Sequence, residues 1–371
     1  MSSAAAHSRE CSRDGILPAH AIRWLVENGH LTSSEALDAD QVQPASLDLR
    51  LGERAWRVRA SFLPGPERLV TERLAELALH EMDLRDGAVL ETGCVYIVPL
   101  MERLALPPDI SAACNPKSST GRIDVFTRVI AESGAAFDRV PAGYKGPLYL
   151  EISPRTFPVL VRPGSRLAQI RFRRGQASLD DAATRALHAR EPLVTGGEPD
   201  IDGGVALTVD LSSGDISRPI GFRARRHAGL IDVDAVGKLD PLAFWEPITR
   251  REPLILDPGE FYILASKEAV RVPPDHAAEM VPFDPFVGEF RVHYAGFFDP
   301  GFGHAAGGGE GARAVLEVRA HEVPFMLEDG QIVGRLLYEP LCEAPEQVYG
   351  QTGSHYQKQG LKLSKHFRQW D

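Results

Sequence analysis

The stretch HYAGFFDPGFGHAAGGGEGARAVLEV, residues 293 to 318, joins a tight turn, a glycine-rich loop and one carboxylate within an apolar strand. Strand-forming residues precede the Asp299-Pro300-Gly301 turn, so Asp299 is predicted at the lip of a hairpin. In the strand that follows, alternation places Glu317 and Val315 on one face, opposite Leu316. The stretch predicts the floor of an active site, while an ordinary half-exposed strand face remains an alternative for Glu317.

Composition indicates a globular protein with two domains. The chain has 371 residues, of which 43% are hydrophobic and 25% charged, and this is enough to bury two cores. Its formal net charge of -10 excludes a general nucleic-acid binder. An anionic ligand would need arginines concentrated in a small pocket.

Targeting and cysteine patterns set further limits. No apolar run is long enough to span a membrane, and the first fifteen residues lack the apolar core of a signal peptide. A cytoplasmic protein without a membrane or nucleic-acid partner is expected. Cys11, Cys94, Cys114 and Cys342 are scattered, without a CxxC pair, so neither a disulfide framework nor a structural zinc is expected.

The chain is predicted to be mainly β, with a few short helices. Its 28 prolines and 34 glycines, between short β-branched runs, favour many strands and turns. Helical spacing predicts a short amphipathic helix within Gly15 to Leu31, and Leu69 to Leu84 is a second candidate helix. The segment Gln41 to Gly52 has period two and predicts a half-buried strand, with Asp48 and Arg50 on its polar face.

Landmarks recur along the chain at a constant spacing. Pro107-Pro108-Asp109 matches Pro273-Pro274-Asp275, a shift of 166 residues (273 − 107 = 166), and Leu150-Glu151 matches Leu316-Glu317 at the same shift. Such an internal repeat predicts two copies of one strand-rich domain. The predicted parts are a first copy, a linker, a second copy and a C-terminal tail, at residues 1–185, 186–205, 206–345 and 346–371.

A polar motif in the first copy suits an anion. The segment NPKSSTGR, residues 115 to 122, holds Lys117, Ser118, Ser119 and Arg122 among small residues. Hydroxyl and backbone N–H donors with a planar guanidinium fit phosphate, although Ser-Ser-Thr-Gly is also a common polar turn. The corresponding segment 281–289 of the second copy lacks both serines and the arginine.

The C-terminal tail is polar and aromatic, with little apolar periodicity, so it is not expected to form core. Tyr349, Tyr356 and Gln359 are positioned to fold over a ligand, with aromatic rings against a base and an amide on phosphates. A frayed terminus is the alternative for such a sequence.

In their order along the chain, these motifs resemble those of the dCTP deaminases, relatives of the trimeric dUTPases. QPASLDLRLG (43–52), SSTGR (118–122), AGFFDPGFG (295–303) and YQKQG (356–360) are similar to family motifs, and a Leu-Glu strand follows in each copy. This chain is twice the usual family length, which indicates a two-copy form. The resemblance implies a duplicated dUTPase-like distorted β-barrel or jelly roll, with nucleotide sites between domains.

The resemblance also implies an activity: hydrolytic, zinc-independent deamination of dCTP to dUTP and ammonia, which supplies dUTP for dTMP synthesis. Mg²⁺ would be bound through the substrate triphosphate, with no metal ligand from the protein. The chain would form a homo-oligomer, a trimer or another ring.

The resemblance assigns roles to individual residues. Glu317 or Glu151 would be the general base. The substrate would be bound by Lys117, Ser118, Ser119, Arg122, Asp299, Tyr349, Tyr356 and Gln359. Of these, the two serines and Arg122 would also assist at the reacting end of the base. Asp299 would bind the 3′-hydroxyl, and the three tail residues would close over the nucleotide.

Neither copy keeps the full set of family motifs, since copy one lacks the aspartate and copy two lacks SSxxR. We therefore expect the first copy to supply the anion site and the second copy to supply Asp299, Glu317 and the tail. Two alternatives remain open. One is dUTP hydrolysis to dUMP and pyrophosphate, alone or after deamination, and the other is a nucleotide-binding sensor without catalysis.

Overall fold

The structure is a computed structural model that describes residues 10–212, 218–249, 253–282, 290–292, 296–320, 322–351 and 359–370. Strands dominate it, as the glycine, proline and β-branched content predicted. Among these residues no helix is long and apolar enough to cross a membrane. Elements of the first half are β1 (Gly15–Ile16), α1 (Ala19–Glu27), β2 (Leu31–Ser33), β3 (Leu47–Leu49), β4 (Arg54–Val58), α2 (Val70–Leu77), β5 (Ala78–Asp83), β6 (Ala88–Leu90), β7 (Val95–Ala105), β8 (Ile110–Pro116), α3 (Ser118–Gly121), β9 (Val125–Ala131), β10 (Arg139–Val140), β11 (Lys145–Pro154), β12 (Val159–Val161), β13 (Ala168–Arg174) and α4 (Asp181–Arg190).

The second half repeats this order of strands with fewer helices. Its elements are β14 (Val205–Thr208), β15 (Gly221–Ala224), β16 (Ile231–Asp232), α5 (Pro241–Phe244), β17 (Trp245–Ile248), β18 (Leu254–Leu256), β19 (Tyr262–Val270), β20 (His276–Pro282), β21 (Phe290–Val292), β22 (Phe297–Phe298), a 3₁₀ turn (Ala305–Gly307), β23 (Ala312–Ala320), β24 (Phe325–Leu327) and β25 (Ile332–Pro340).

Sheet topology shows the duplication directly. The first sheet of the first half has the strand order β1-β13-β8-β10, and β3 also pairs with β13. Its second sheet has the order β5-β4-β7-β11-β9. The second half has the sheets β14-β25-β20-β22 and β17-β15-β19-β23-β21, so the same neighbours recur. A small β6-β12 pair likewise corresponds to β18-β24. The internal repeat predicted from sequence is therefore a structural repeat.

Register matches at the level of single residues. Glu151 lies opposite Ile97, and Glu317 lies opposite Ile263, with the same spacing of 166 positions between copies. In each half a tyrosine hydroxyl accepts a hydrogen bond of 3.0 Å from the backbone N–H five residues earlier: Tyr96 from Glu91, and Tyr262 from Asp257. The two glutamates thus occupy equivalent positions in equivalent strands.

The two halves share buried surface. The larger core contains first-half strands together with Phe222, Trp245, Ile263 and Val315 of the second half, while the smaller core belongs to the second half. Strand β16 of the second half also pairs in parallel with β12. The shared core and the β12–β16 pair therefore fix the position of one half relative to the other.

The tail contradicts its prediction, because part of it is core. Phe367 is buried against Phe244 and Trp245, with ring centroids 5.4 and 5.9 Å away, and Leu363 joins the same cluster. Two apolar residues four positions apart were enough, since the remaining apolar wall comes from elsewhere in the chain.

Three other expectations need correction. The strand around Leu47 is buried on both faces, because Arg50 bonds Glu102 at 2.9 Å and Asp48 pairs with Lys117. Residues 69–84 form helix α2 followed by strand β5, because from Ala78 onward the chain pairs with β4.

The third correction concerns the cysteines, for which no disulfide was expected. Cys11 and Cys342 form one, across 331 positions, which spacing along the chain does not reveal. Gly15 allows the two segments to approach, because a Cβ there would lie 2.4 Å from the Cys342 nitrogen. The disulfide joins the N-terminal segment to the end of the second half.

Candidate active site

A cavity of about 540 Å³ opens between the two halves. The first half lines it with α3 and neighbouring loops, and the second half lines it with strand β23, the turn after β22 and the tail. Its walls include most of the predicted site residues: Lys117, Ser118, Ser119, Arg122, Asp299, Glu317, Tyr349 and Gln359.

Glu317 lies in the middle of strand β23, on the face turned toward the first half. Val315 shares this face and lines the cavity, whereas Leu316 and Val318 pack into the second-half core, as the alternation predicted. The Glu317 side chain is only 6% exposed. Burial raises its pKa to about 8, and Arg122 opposes that rise only in part. The carboxyl group can therefore hold or release a proton near neutral pH.

Arg122 follows the four-residue helix α3, which begins directly after strand β8 and turns the chain across the cavity. Its Nε lies 3.9 Å from Glu317 Oε1. The two terminal nitrogens donate to Gln359 Oε1 and to the Lys362 carbonyl, both at 3.0 Å. Second-half strand, first-half arginine and tail thus meet at one point.

Ser118 and Ser119 occupy the start of the same short helix, on the cavity wall. The Ser119 carbonyl accepts a hydrogen bond of 2.8 Å from Ser364 Oγ in the tail. The tail therefore contacts both helix α3, through Ser364, and Arg122, through Gln359.

Beside the predicted Lys117, the polar end of the cavity contains charged residues that were not among the predicted site residues: Asp48, Arg166 and Lys365. Lys117 pairs with buried Asp48, and Arg166 lies 2.5 Å from Asp38 and 3.7 Å from Asp48. Lys365 of the tail also lines this end, and burial lowers its pKa. The available signal was a charged residue inside an apolar strand, since Asp48 lies between Leu47 and Leu49.

Asp299 directly follows strand β22 and lines the cavity. The hairpin predicted at this turn is wrong, because β22 pairs with β20 whereas the next strand, β23, pairs with β19 and β21 in another sheet. It pairs with Arg171 of the first half at 3.0 Å, and burial raises its pKa while Arg171 opposes the rise. Arg171 also donates to the carbonyls of Ala278 and Phe298, at 2.9 and 3.2 Å. Sequence reading missed Arg171, which is buried and lies on strand β13.

The tail is anchored on both sides of the cavity. Tyr349 N donates to the Pro300 carbonyl at 2.7 Å, and its ring packs 5.6 Å from that of Phe302. Gly301 permits this contact, because a Cβ there would lie 2.6 Å from Val348 Cβ. Tyr356, the remaining predicted tail residue, lies outside the described residues.

Glu151, the alternative general base, is not part of the cavity wall. It is buried in strand β11, where Arg128 of the adjacent strand β9 donates to its Oε1 from Nε at 2.9 Å and from Nη2 at 2.5 Å. The Arg128 guanidinium stacks on Phe137, 3.7 Å from the ring centroid. The two glutamates therefore have equivalent backbones and different surroundings.

The duplicated β fold, with a polar cavity between its halves, defines a protein of the dUTPase-like class. Residues 13–176 match the N-terminal domain of the 2′-deoxycytidine 5′-triphosphate deaminase family, and residues 180–367 match its C-terminal domain. The chain belongs to this family and is an enzyme that acts on dCTP by deamination.

Individual relatives agree with the family match. A dCTP deaminase of Halorubrum lacusprofundi is 34% identical over 39% of this chain and 70% of its own length. A relative from Kocuria rhizophila, described as dCTP deaminase, dUMP-forming, is 34% identical over 37% of this chain and 69% of its own. The crystal structure of the Agrobacterium tumefaciens enzyme is 61% identical, with a TM-score of 0.85 over 90% of this chain and the whole of that one.

Proposed function

We propose that this enzyme hydrolyses dCTP to dUTP and ammonia, with Glu317 as the general base. The observation that carries the proposal is a buried carboxyl group, with its pKa raised to about 8, on a cavity wall that also presents Arg122, Ser118 and Ser119. One carboxyl group can first accept a proton from water and then donate it to a nitrogen, and this reaction needs both steps.

The chemistry requires water to attack C4 of cytosine while N3 gains a proton and the amine leaves as ammonia. Glu317 would take the proton from water and pass it on. Val315 beside it provides an apolar wall, which favours the neutral carboxylic acid formed after the proton is taken. Arg122, 3.9 Å away, would orient the carboxylate and the reacting end of the base.

Binding would divide along the length of the cavity. Lys117, Ser118 and Ser119 would hold phosphate oxygens, and Asp299 would accept the 3′-hydroxyl of the deoxyribose. The tail residues Tyr349, Tyr356 and Gln359 would cover the nucleotide. Mg²⁺ would arrive on the triphosphate, for which the protein needs no ligand of its own.

We also propose that catalysis is independent of zinc. The sequence lacks the HxE and PCxxC motifs of the zinc deaminases. Among the described residues that line the cavity there is no histidine or cysteine. The donor set therefore does not fit catalytic zinc.

The homo-oligomer remains a proposal. One chain brings together the described parts of this cavity, so the ring expected from the family is not needed to join the anion site to Glu317. Sedimentation of the purified enzyme, with and without dCTP, tests for it: a monomer under both conditions contradicts the proposal.

Product analysis tests the proposed reaction. Incubation with dCTP and Mg²⁺ is expected to release one ammonia per dUTP, with no pyrophosphate. Release of dUMP and pyrophosphate would support the alternative that the Kocuria rhizophila relative suggests. Tight dCTP binding without ammonia would instead favour a nucleotide sensor and overturn the enzymatic proposal.

A further inference from the structure

A cluster of soft and borderline metal ligands lies outside the cavity wall. We call it the clasp, and it consists of Cys11, His20, Cys342 and Glu343. One ligand atom each of Cys11, His20 and Glu343 lies within 4.8 Å of the others. The fourth member, Cys342, is bonded to Cys11 in the disulfide. Three potential donors, and the disulfide partner of one of them, thus come together from two ends of the chain.

The clasp is buried, and its histidine has an unused polar atom. Cys11, His20 and Cys342 are at most 3% exposed. His20 Nε2 lies 3.3 Å from Glu343 Oε2, while His20 Nδ1 has no hydrogen-bond partner in the described part of the chain. Since Nδ1 and Nε2 point to opposite sides of the imidazole ring, the nitrogen that faces Glu343 and can serve as the clasp ligand is Nε2.

The geometry fits tetrahedral zinc once the two cysteines are reduced. Nitrogen and oxygen ligands of Zn²⁺ lie roughly 3.3 Å apart, given bonds of about 2.0–2.1 Å at tetrahedral angles. The His20–Glu343 separation of 3.3 Å matches this spacing. Two thiolates on one zinc stand roughly 3.8 Å apart, which the Cα–Cα distance of 5.8 Å between the cysteines permits.

The clasp would join three segments at the boundary between the halves. Cys11 precedes strand β1, His20 lies on helix α1, and Cys342 follows strand β25, where the chain leaves the second half toward the tail. The Cys342 N–H already donates to the Ile16 carbonyl at 3.0 Å. A metal there would stabilise the point from which the tail departs.

We propose that the reduced enzyme binds one structural Zn²⁺ ion in the clasp, through Cys11, His20, Cys342 and Glu343. A dithiol reductant opens the disulfide, becoming a cyclic disulfide itself while two cysteine thiols form. Zinc then replaces the two thiol protons, which pass to solvent. Thiolate, imidazole and carboxylate are the ligand types that zinc takes in closed sites.

Metal content of the full-length enzyme tests the proposal. The protein is reduced with excess dithiol, incubated with ZnSO₄ without oxygen, desalted and measured for zinc and thermal stability. One zinc per chain is expected, with a Tm that falls when a chelator is added. Replacement by Co²⁺ is expected to give thiolate-to-metal charge-transfer absorption.

Variants assign the metal to the clasp. His20→Gln is expected to weaken zinc binding by on the order of tenfold or more, whereas Cys94→Ser removes a free cysteine outside the clasp and leaves binding unchanged. Should His20→Gln misfold, Glu343→Gln takes its place: it removes the carboxylate ligand from the edge of the clasp and is expected to weaken zinc binding as well. No zinc retained after full reduction, or loss of zinc in Cys94→Ser, overturns the proposal.

Discussion

Glu151 and Glu317 occupy the same register in the two halves, yet of the two only Glu317 lines the cavity between the halves. Glu151 is bound by Arg128 of its own sheet, from Nε at 2.9 Å and from Nη2 at 2.5 Å. Glu317 has its cation, Arg122, 3.9 Å away in the other half. The strand therefore supplies a buried carboxyl group in both copies, and its surroundings decide whether that group is held within its own sheet or lines the cavity.

This difference supports the proposal that the two halves together form one site. In the first half, two nitrogens of Arg128 donate to the same Glu151 oxygen from the adjacent strand, and Glu151 is not on the cavity wall. A more distant arginine in the opposite half leaves the carboxyl group desolvated and open to a ligand. Loss of SSxxR from the second copy and loss of the aspartate from the first are then compatible with function, because the remaining parts face each other.

The largest expected effect separates the two glutamates kinetically. Glu317→Gln is expected to lower kcat by about 10²–10⁴-fold with little change in KM, because the amide cannot accept the proton from water. Initial rates of ammonia release from dCTP measure it. Glu151→Gln is the matched control and is expected to retain kcat within a few fold. Full loss in Glu151→Gln with activity retained in Glu317→Gln would reverse the assignment.

The second prediction concerns stability. Arg128→Leu leaves Glu151 buried without its cation and is expected to lower the free energy of unfolding by about 3 kcal/mol, with kcat unchanged. Denaturant unfolding followed by circular dichroism measures this. Arg54→Leu removes an exposed arginine from an ion pair in the same sheet and is expected to cost less than about 1 kcal/mol. Equal costs for the two variants would show that Glu151 is not a structural ion.

Sequence alone predicted much of the architecture, because it rests on local patterns. Period-two alternation placed Val315 and Glu317 on one face, and repeated Pro-Pro-Asp and Leu-Glu landmarks revealed the duplication. Residue type and order also indicated Asp299 and residues 117–122, most of which the structure places on the cavity wall. Each of these signals lies within a few adjacent residues, where steric and hydrogen-bond preferences act.

Features that sequence missed depend on contacts between distant segments. Arg171 on strand β13 gains its role from Asp299, which approaches it only after the halves pack. The Cys11–Cys342 disulfide and the burial of Phe367 have the same origin. The choice between Glu151 and Glu317 also stayed open at that stage, since both sequences read Leu-Glu and the distinguishing arginines lie on other elements.

The third prediction uses the raised pKa of Glu317. Since Glu317 must be ionised to act as the proposed general base, kcat/KM is expected to fall about tenfold per pH unit below about pH 8 and to level off above it. Stability shows the opposite trend, because the folded pKa exceeds the ordinary value of 4.5. The folded enzyme then binds more protons than the unfolded chain, and it loses stability as pH rises from about 4.5 to about 8.

Glu317→Gln separates this contribution from other titrating groups. The neutral amide is expected to abolish the loss of stability over that range, so that the variant gains Tm relative to wild type as the pH increases. Thermal unfolding without nucleotide, at pH 5 and pH 8.5, measures the difference. An equal Tm difference at both pH values would show that Glu317 is ionised throughout this range and that its pKa is not raised.

The smallest expected effect concerns the hydrogen bond between Gln359 of the tail and Arg122, the arginine that faces Glu317. Gln359 accepts from Arg122 Nη2 and donates to the Arg313 carbonyl, both at 3.0 Å, so its amide holds the arginine that faces Glu317. Gln359→Ala is expected to lower kcat/KM about fivefold, since one hydrogen bond contributes about 1 kcal/mol and the Lys362 carbonyl still accepts from Arg122. The matched control is Gln351→Ala, which changes an exposed tail glutamine that is not on the cavity wall. In steady-state kinetics, the kcat/KM values of the two variants should differ about fivefold. Equal kinetics would mean that the tail fastens the halves without orienting Arg122, and that the difference between the two glutamates arises from the paired sheets alone.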